Sequence, residues 1–288
     1  MVKNICIILN YNDSVTTINL LEKIKNFKCI YKIIIVDNKS TDNSFFELKK
    51  YESQKIEVIV SDKNGGYGYG NNFGVRYANL KYDYENLIIC NPDIDIEEEV
   101  MENLLSKIDD KVSAISGLML DSKKEIINIT AWKLPSYRDI LRISLIILKK
   151  TLKNRTLYNI NRNSGLQKVE VLPGSLLIFN KEVFDEVNGF DEDTFLYHEE
   201  NIIFYKIKER GYSTYLDTDV CYIHNHQVSI NKSMKNDIDR MLINMDSAQV
   251  YLEKCLKINQ AQLYLYRLLR QVAKIEMNTK NIIKGWIK

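Results

Sequence analysis

Proline is nearly missing from this chain, three in 288 residues, and 45% of the residues are hydrophobic. Such a composition excludes proline-rich linkers and extended disorder as carriers of function. The five cysteines, Cys6, Cys29, Cys90, Cys221 and Cys255, are odd in number, scattered, and lack CxxC or Cys/His finger spacing. A disulfide framework and a zinc finger are both disfavoured, and reduced core thiols are expected. No apolar run approaches the roughly 20 residues of a membrane span; residues 143–148 make the longest kind present. Strand-like sequence follows Met1 directly, without the charged, apolar and cleavage regions of a secretory signal, so a cytoplasmic location is expected. A lysine-bearing phosphate loop is absent, and no GxGxxG follows the first apolar run, which disfavours a P-loop and a dinucleotide site.

Net charge is also small, +2, but it is unevenly spread. Residues 133–168 carry nine Lys or Arg against Asp139, and residues 249–288 carry eight against Glu253 and Glu276. The rest of the chain is therefore acidic, with two basic extensions. An acidic body would repel a nucleic-acid duplex, so no nucleic-acid partner is expected.

What is present is an alternation of short β-branched runs, residues 5–9, 32–36, 56–60 and 86–90, with helical patterns over 14–25, 44–51 and 71–80. Ser44 and Glu47 have the spacing of a capping box. The pattern predicts an α/β fold: a doubly wound, mostly parallel, Rossmann-like sheet whose ligands sit beyond the carboxyl ends of its strands. Further strands are expected near 176–179 and 220–223, helices at 182–187 and 199–210, and helix from about 233 to the end.

Each strand end carries polar or glycine residues. Asn10, Tyr11 and Asn12 follow the first, and Asp37 closes the second within IIIVDNKSTDNS. DKNGGYGYGNNFG follows the third, where backbone N–H groups of a flexible glycine loop could approach a diphosphate. NPDID, residues 91–95, follows the fourth, and two carboxylates at i and i+2 are hard ligands of the kind Mg²⁺ or Mn²⁺ takes. Each segment also reads as an ordinary turn or helix start. Farther on, Glu199 and Glu200 begin an amphipathic helical pattern, where acidic residues suit the helix dipole or serve as a general base. His224 and His226, two of only three histidines, end an apolar run and are candidate metal or phosphate partners.

Taken in order, these motifs resemble the family 2 glycosyltransferases of GT-A fold, particularly a rhamnosyltransferase-like branch of surface polysaccharide synthesis, over roughly residues 4–229. The resemblance implies a nucleotide-sugar site from Asn10, Tyr11, Asn12, Asp37, Asn64, Gly66, Asn72, Asn91, Gly174 and Ser175. It implies a divalent ion, Mg²⁺ or Mn²⁺, held by Asp93 with Asp95 and His224, Asn91 standing where most of the family has the first aspartate of DxD. HEENII falls on the family's ED-x-D pattern, giving Glu200 or Glu199 as the base of an inverting displacement. Ile202 and Lys206 depart from that pattern, at positions of an aspartate and an arginine.

The domain reading is 1–230 for the transferase, with a nucleotide-sugar half at 1–116 and an acceptor-side half at 117–230 that carries the basic insert 133–168. A basic helical extension follows at 231–288. The expected partners are a nucleotide-sugar donor (dTDP-rhamnose or a UDP-sugar) and a glycan or lipid-linked glycan acceptor. The amphipathic stretches 138–153 and 262–288 suit the inner face of the cell membrane, or alternatively core packing or a homodimer contact. The rival functional readings are an inactive nucleotide-sugar-binding scaffold and a sugar nucleotidyltransferase.

Overall fold

The computed structural model describes residues 2–145, 156–225 and 237–286, the last few of these as backbone. The first half is the expected alternation: β1 (Asn4–Asn10), α1 (Ser14–Ile24), β2 (Lys32–Asp37), α2 (Ser44–Lys49), β3 (Ile56–Val60), α3 (Gly66–Lys81) and β4 (Asn86–Cys90). There follow β5 (Ile94–Asp95), α4 (Glu98–Leu105), β6 (Ala114–Leu120), α5 (Tyr137–Ser144), β7 (Leu166–Val169) and β8 (Leu176–Asn180). The remainder comprises α6 (Lys181–Glu186), α7 (Glu199–Glu209), β9 (Thr214–His224), α8 (Asp237–Lys254) and α9 (Gln260–Trp286).

The strands form one sheet in the order β3-β2-β1-β4-β8-β6-β9-β5, with β7 also on β9. β3, β2, β1 and β4 run parallel, and the Asn10↔Asp37 pairing brings the ends of β1 and β2 level at one edge. β8 enters antiparallel beside β4, and Cys90↔Leu176 sets the start of β8 against the end of β4. Antiparallel pairing of Ile94 with His224 then carries β5 to the far edge.

Side-chain alternation divides the core. Ile5 and Ile7 face a cluster with Val75, Phe184 and Phe204, while Cys6 and Ile8 face one with Leu20, Leu48 and Met101. Strands buried on both faces explain why they read as continuous apolar runs. A third cluster joins Ile140 of α5 and Ile202 of α7 to Met245, Tyr251, Leu252, Tyr266 and Ala273 of the C-terminal helices. The C-terminal helices thus share a core with α7 instead of trailing from the sheet. All five cysteines are unpaired.

Two local expectations need correction. Ser44 is the first residue inside α2, with Asn43 as its cap, and its N–H is taken by Asp42 Oδ1 at 2.9 Å, so Ser44 and Glu47 form no capping box. A true capping box does occur at Ser136 and Asp139, opening α5. The second concerns the glycines after β3, which form the first turns of α3 rather than a flexible loop. A Cβ on Gly74 would lie 2.7 Å from Val36 and 2.8 Å from Ile7, so glycine there lets α3 settle on β1 and β2.

Candidate active site

One cavity of about 790 Å³ opens beyond the carboxyl ends of the central strands. Of the residues expected from sequence, Asn10, Tyr11, Asn64, Gly66, Asn91, Asp93, Gly174, Ser175, Glu199, Glu200 and His224 line it.

The wall at the ends of the parallel strands is a lattice of side-chain amides. Asn38, at the end of β2, donates to Asn64 Oδ1 at 3.0 Å and to the carbonyl of Gly66 at 3.1 Å. Gly66 has φ of +88°, and a Cβ there would meet the Phe195 carbonyl at 2.0 Å, so a side chain is excluded on two counts. Its neighbour Tyr67 donates its N–H to that same carbonyl and its hydroxyl to the Gly174 carbonyl at 2.6 Å.

Residues 174 and 175 tie the two sides together. Gly174 N–H donates to Glu200 Oε1 at 3.2 Å, while the Ser175 carbonyl accepts Asn91 N–H at 2.9 Å. A short hydrogen-bonded path therefore leads from the Glu200 carboxylate to the NPD turn. There Asp93 and His224 are both buried, and His224 Nε2 lies 3.1 Å from Asp93 Oδ1. Asn225 N–H donates to the Asp93 carbonyl at 2.9 Å, fixing the turn against the end of β9.

The pair suits a divalent cation. A carboxylate oxygen and an imidazole nitrogen buried together on the cavity wall are both groups that could hold a divalent cation, the carboxylate being the one that suits Mg²⁺ or Mn²⁺. Among the described residues, a tight group of three candidate ligands occurs elsewhere, at Cys29, Glu98 and Glu102, away from the cavity.

Burial raises the pKa of both α7 glutamates above the usual 4.5. Glu199 is driven well above it, by desolvation first and by the charge of Glu200 second. Glu200 is also raised by desolvation, opposed by backbone hydrogen bonds that include Gly174 N–H. A carboxylate raised toward neutrality is a stronger proton acceptor than a solvated one.

Four expected residues do not reach the wall. Asp37 is buried behind it, its oxygens accepting from Asn10 Nδ2 and Ser40 N–H at 2.9 Å each. Asn12 has φ of +52° and pins the neighbouring loop through Thr41 N–H. Asn72 lies six residues into α3, on the face toward Phe190, whose backbone it holds at both N–H and carbonyl. Asp95 follows the strand β5 out to an ion pair with Lys23, so NPDID presents one carboxylate to the cavity and not two. His226 lies outside the described residues.

Lining residues without a strong local signal are Tyr67, Trp132, His198 and Asn201. The glycine-rich setting of Tyr67 was a usable cue; nothing around Trp132 marks it, because its partner Asn201 is 69 positions away.

Residues 5–187 match the model of glycosyl transferase family 2. The chain belongs to that family. This family 2 glycosyl transferase is 26% identical over 224 residues to the low-salt glycan biosynthesis hexosyltransferase Agl10 of Haloferax volcanii, covering 77% of this chain and 67% of that protein. It is 28% identical over 189 residues to the rhamnosyltransferase WbbL of Escherichia coli, covering 63% and 67%. The fold is similar to mannosyltransferase PcManGT of Pyrobaculum calidifontis, solved with GDP-Man and Mn²⁺, at TM-score 0.58, 14% identity, and 94% and 72% coverage. Staphylococcus aureus TarS (residues 1–349), solved with UDP, superposes at TM-score 0.57 with 13% identity, covering 91% and 68%. The sheet and its helices are thus of GT-A type.

Proposed function

We propose that this transferase moves a sugar from a nucleoside-diphosphate donor to an acceptor hydroxyl by a single in-line displacement that inverts the anomeric centre. The observation that carries the reading is the Glu200–Gly174–Ser175–Asn91 path, which couples a half-buried carboxylate to the Asp93–His224 pair within one cavity. Asn10, Tyr11, Asn64 and Gly66 are assigned to the nucleotide side, with Asp37 supporting them from behind through Asn10. Asp93 and His224 would hold a Mg²⁺ or Mn²⁺ ion, which when bound neutralises charge on the leaving diphosphate. Glu200 takes the proton of the attacking hydroxyl, and Gly174 N–H keeps its Oε1 in place.

For the donor we favour dTDP-rhamnose or a UDP-sugar, and for the acceptor a glycan or lipid-linked glycan of cell-surface polysaccharide. WbbL is named a rhamnosyltransferase and the TarS structures hold UDP or UDP-GlcNAc, which makes these the first donors to try. Among the described residues no helix is long and apolar enough to cross a membrane. An interfacial seat is supported instead by α9, where exposed Tyr264, Leu265, Leu268, Val272 and Ile275 fall within one 100° arc of the helix. Its buried residues Leu263, Tyr266 and Ala273 lie on the other side.

A panel of nucleotide sugars, read by thermal shift and then by sugar transfer with Mg²⁺ or Mn²⁺ and with chelator, tests the reading. A donor at about 100 times its Kd stabilises by about 2.7 kcal/mol. A donor that stabilises the protein without being turned over would make the chain a nucleotide-sugar-binding scaffold, and a panel with neither effect also ends the reading.

A further inference from the structure

α7 begins after two consecutive non-glycine residues in the left-handed region, Tyr197 at φ +72° and His198 at φ +64°. Each such residue costs on the order of 1 kcal/mol, so the surroundings must hold the turn. They do so from three directions. Ser247 Oγ of α8 donates to the Leu196 carbonyl at 2.8 Å, and the His198 ring stacks on Tyr251 of α8 with centroids 6.1 Å apart. Third, His198 Nδ1 lies 2.8 Å from Asn201 Nδ2, and Asn201 Oδ1 lies 2.8 Å from Trp132 Nε1.

The chemistry of that last chain fixes protons. An indole N–H can only donate, so the Asn201 oxygen must accept from Trp132. The other end of the amide is then a donor, and His198 Nδ1 must be its acceptor. Nδ1 therefore carries the lone pair and Nε2 carries the hydrogen. Burial also holds His198 neutral, with its pKa lowered to about 4. No described residue bonds Nε2, and His198 lines the cavity. Its neighbour Glu199 lines the same cavity, is 5% exposed, and its Oε2 has no hydrogen-bond partner among the described residues.

We propose that His198 and Glu199 form the grip for a hydroxyl-bearing acceptor, His198 Nε2–H donating to one acceptor oxygen and Glu199 Oε2 pairing with another, with Asn201 and Trp132 setting the histidine tautomer. The proposal rests on the glycosyl-transfer reading and gives the two glutamates different roles, since Glu199 binds while Glu200 removes the proton. A vicinal polyol, meaning a sugar, fits two polar groups on successive residues. A simple alcohol would satisfy only one. Trp132 and Asn201 are positioning residues here, and they act through His198.

The test uses the full chain and needs no knowledge of the natural acceptor. Donor hydrolysis, in which water accepts the sugar, is measured beside transfer to a set of octyl hexosides, using whichever of UDP-glucose, UDP-GlcNAc, GDP-mannose and dTDP-rhamnose the enzyme consumes. In His198→Phe, which keeps the ring stacked on Tyr251, the ratio of transfer to hydrolysis is expected to fall about tenfold, the worth of one neutral hydrogen bond. His198→Gln, which restores an N–H at a similar reach, should recover most of it. The chain has only three histidines, so ¹⁵N spectra at pH 7 report the tautomer directly, the His198 signal being the one lost in His198→Gln. Nε2–H is expected in the parent and a mixture of tautomers in Asn201→Leu. An unchanged transfer ratio in His198→Phe, or a parent His198 protonated on Nδ1, overturns the grip while transfer by the parent leaves the glycosyl-transfer reading intact. A parent that neither hydrolyses nor transfers any of the four donors sinks that reading instead.

Discussion

The two walls of the cavity are built in different ways. The wall proposed to bind the donor is made of strand ends: Asn10 closes β1, Asn38 follows β2, Asn64 and Gly66 follow β3, and Asn91 follows β4. Parallel pairing brings these ends level, so adjacency in the sheet does the assembling. The wall proposed to bind the acceptor is built mostly on helices. Asp139 and Ile143, the α7 entry and Asn244 come together there through the third core cluster, which holds α5, α7, α8 and α9 as a unit, while Trp132 is fixed by backbone pairing with Val171 and Gly174 leads into β8. A sheet edge tolerates changes in its loops, whereas a wall made by helix packing is as sensitive as a core. The two walls meet at Glu200 and Gly174.

Glu200→Gln should have the largest effect. Loss of the base lowers transfer by roughly 10²- to 10⁴-fold. Nucleotide binding, measured by thermal shift with the donor, is expected to persist, because the donor wall does not use α7. Should donor binding vanish together with transfer, the two walls are not independent and the comparison fails.

The next effect separates this chain from the pattern of its family. Ile202 stands where the family motif has an aspartate, and it is 1% exposed within the cluster that contains Met245, Tyr251 and Tyr266. Restoring the family residue, Ile202→Asp, would bury an unpaired carboxylate among apolar side chains. It is expected to cost about 3 kcal/mol or more and to lower the melting temperature without improving transfer. A gain in activity would mean that the C-terminal helices have not replaced the family's polar arrangement. Lys206, at the position of the usual arginine, likewise serves the structure here. It donates to the Gly189 carbonyl, and burial lowers its pKa to about 8.

The same contrast governs what could be read from sequence. Strand periodicity and the polar residue after each strand are local signals, and with them the sheet, its edge and most of the donor wall were legible. The departures there are also local: Asp37 and Asn72 are turned to inside partners, and Asn12 to the exposed loop at Thr41, by hydrogen bonds that sequence does not display. Asp95 failed for a geometric reason, since the chain becomes strand at Ile94 and carries the second carboxylate to Lys23. On the acceptor side only Glu199 and Glu200 were visible, through the family motif, while Gly174 and Ser175 were expected at the nucleotide sugar. Trp132, Asn201 and the histidine tautomer depend on contacts 69 and 3 positions apart and on a third core that hydropathy alone reads as an amphipathic tail.

A smaller effect comes from the buried glutamate pair. Because the folded state holds Glu199 above its ordinary pKa, it binds more protons than the unfolded chain as pH rises past 4.5. Stability therefore falls with pH through that window, and below it both states are protonated and the contribution is flat. Glu199→Gln has no proton to lose. Its melting temperature should match the parent near pH 4 and exceed it increasingly toward pH 8. The acid limb of transfer should also sit above 4.5, as burial of Glu200 requires. A constant offset at every pH would show that Glu199 titrates with the same pKa in the folded as in the unfolded chain.

The smallest expected effect concerns the outer face of the acceptor wall. α9 docks through Leu263, Tyr266 and Ala273 and leaves Tyr264, Leu265, Leu268, Val272 and Ile275 exposed, with Lys274 in the same stretch. Residues 260–288 carry six Lys or Arg against one acid. On an anionic surface each such cation contributes about 1 kcal/mol, so Lys274→Gln should weaken sedimentation with phosphatidylserine vesicles by about fivefold, less as salt is raised. Val272→Glu, placed on the apolar arc, should weaken binding to neutral vesicles as well, since it removes buried apolar area rather than surface charge. If neither variant alters vesicle binding and the protein instead elutes as a dimer that Val272→Glu dissociates, the face is a contact between copies, and the acceptor wall borders another protein instead of a bilayer.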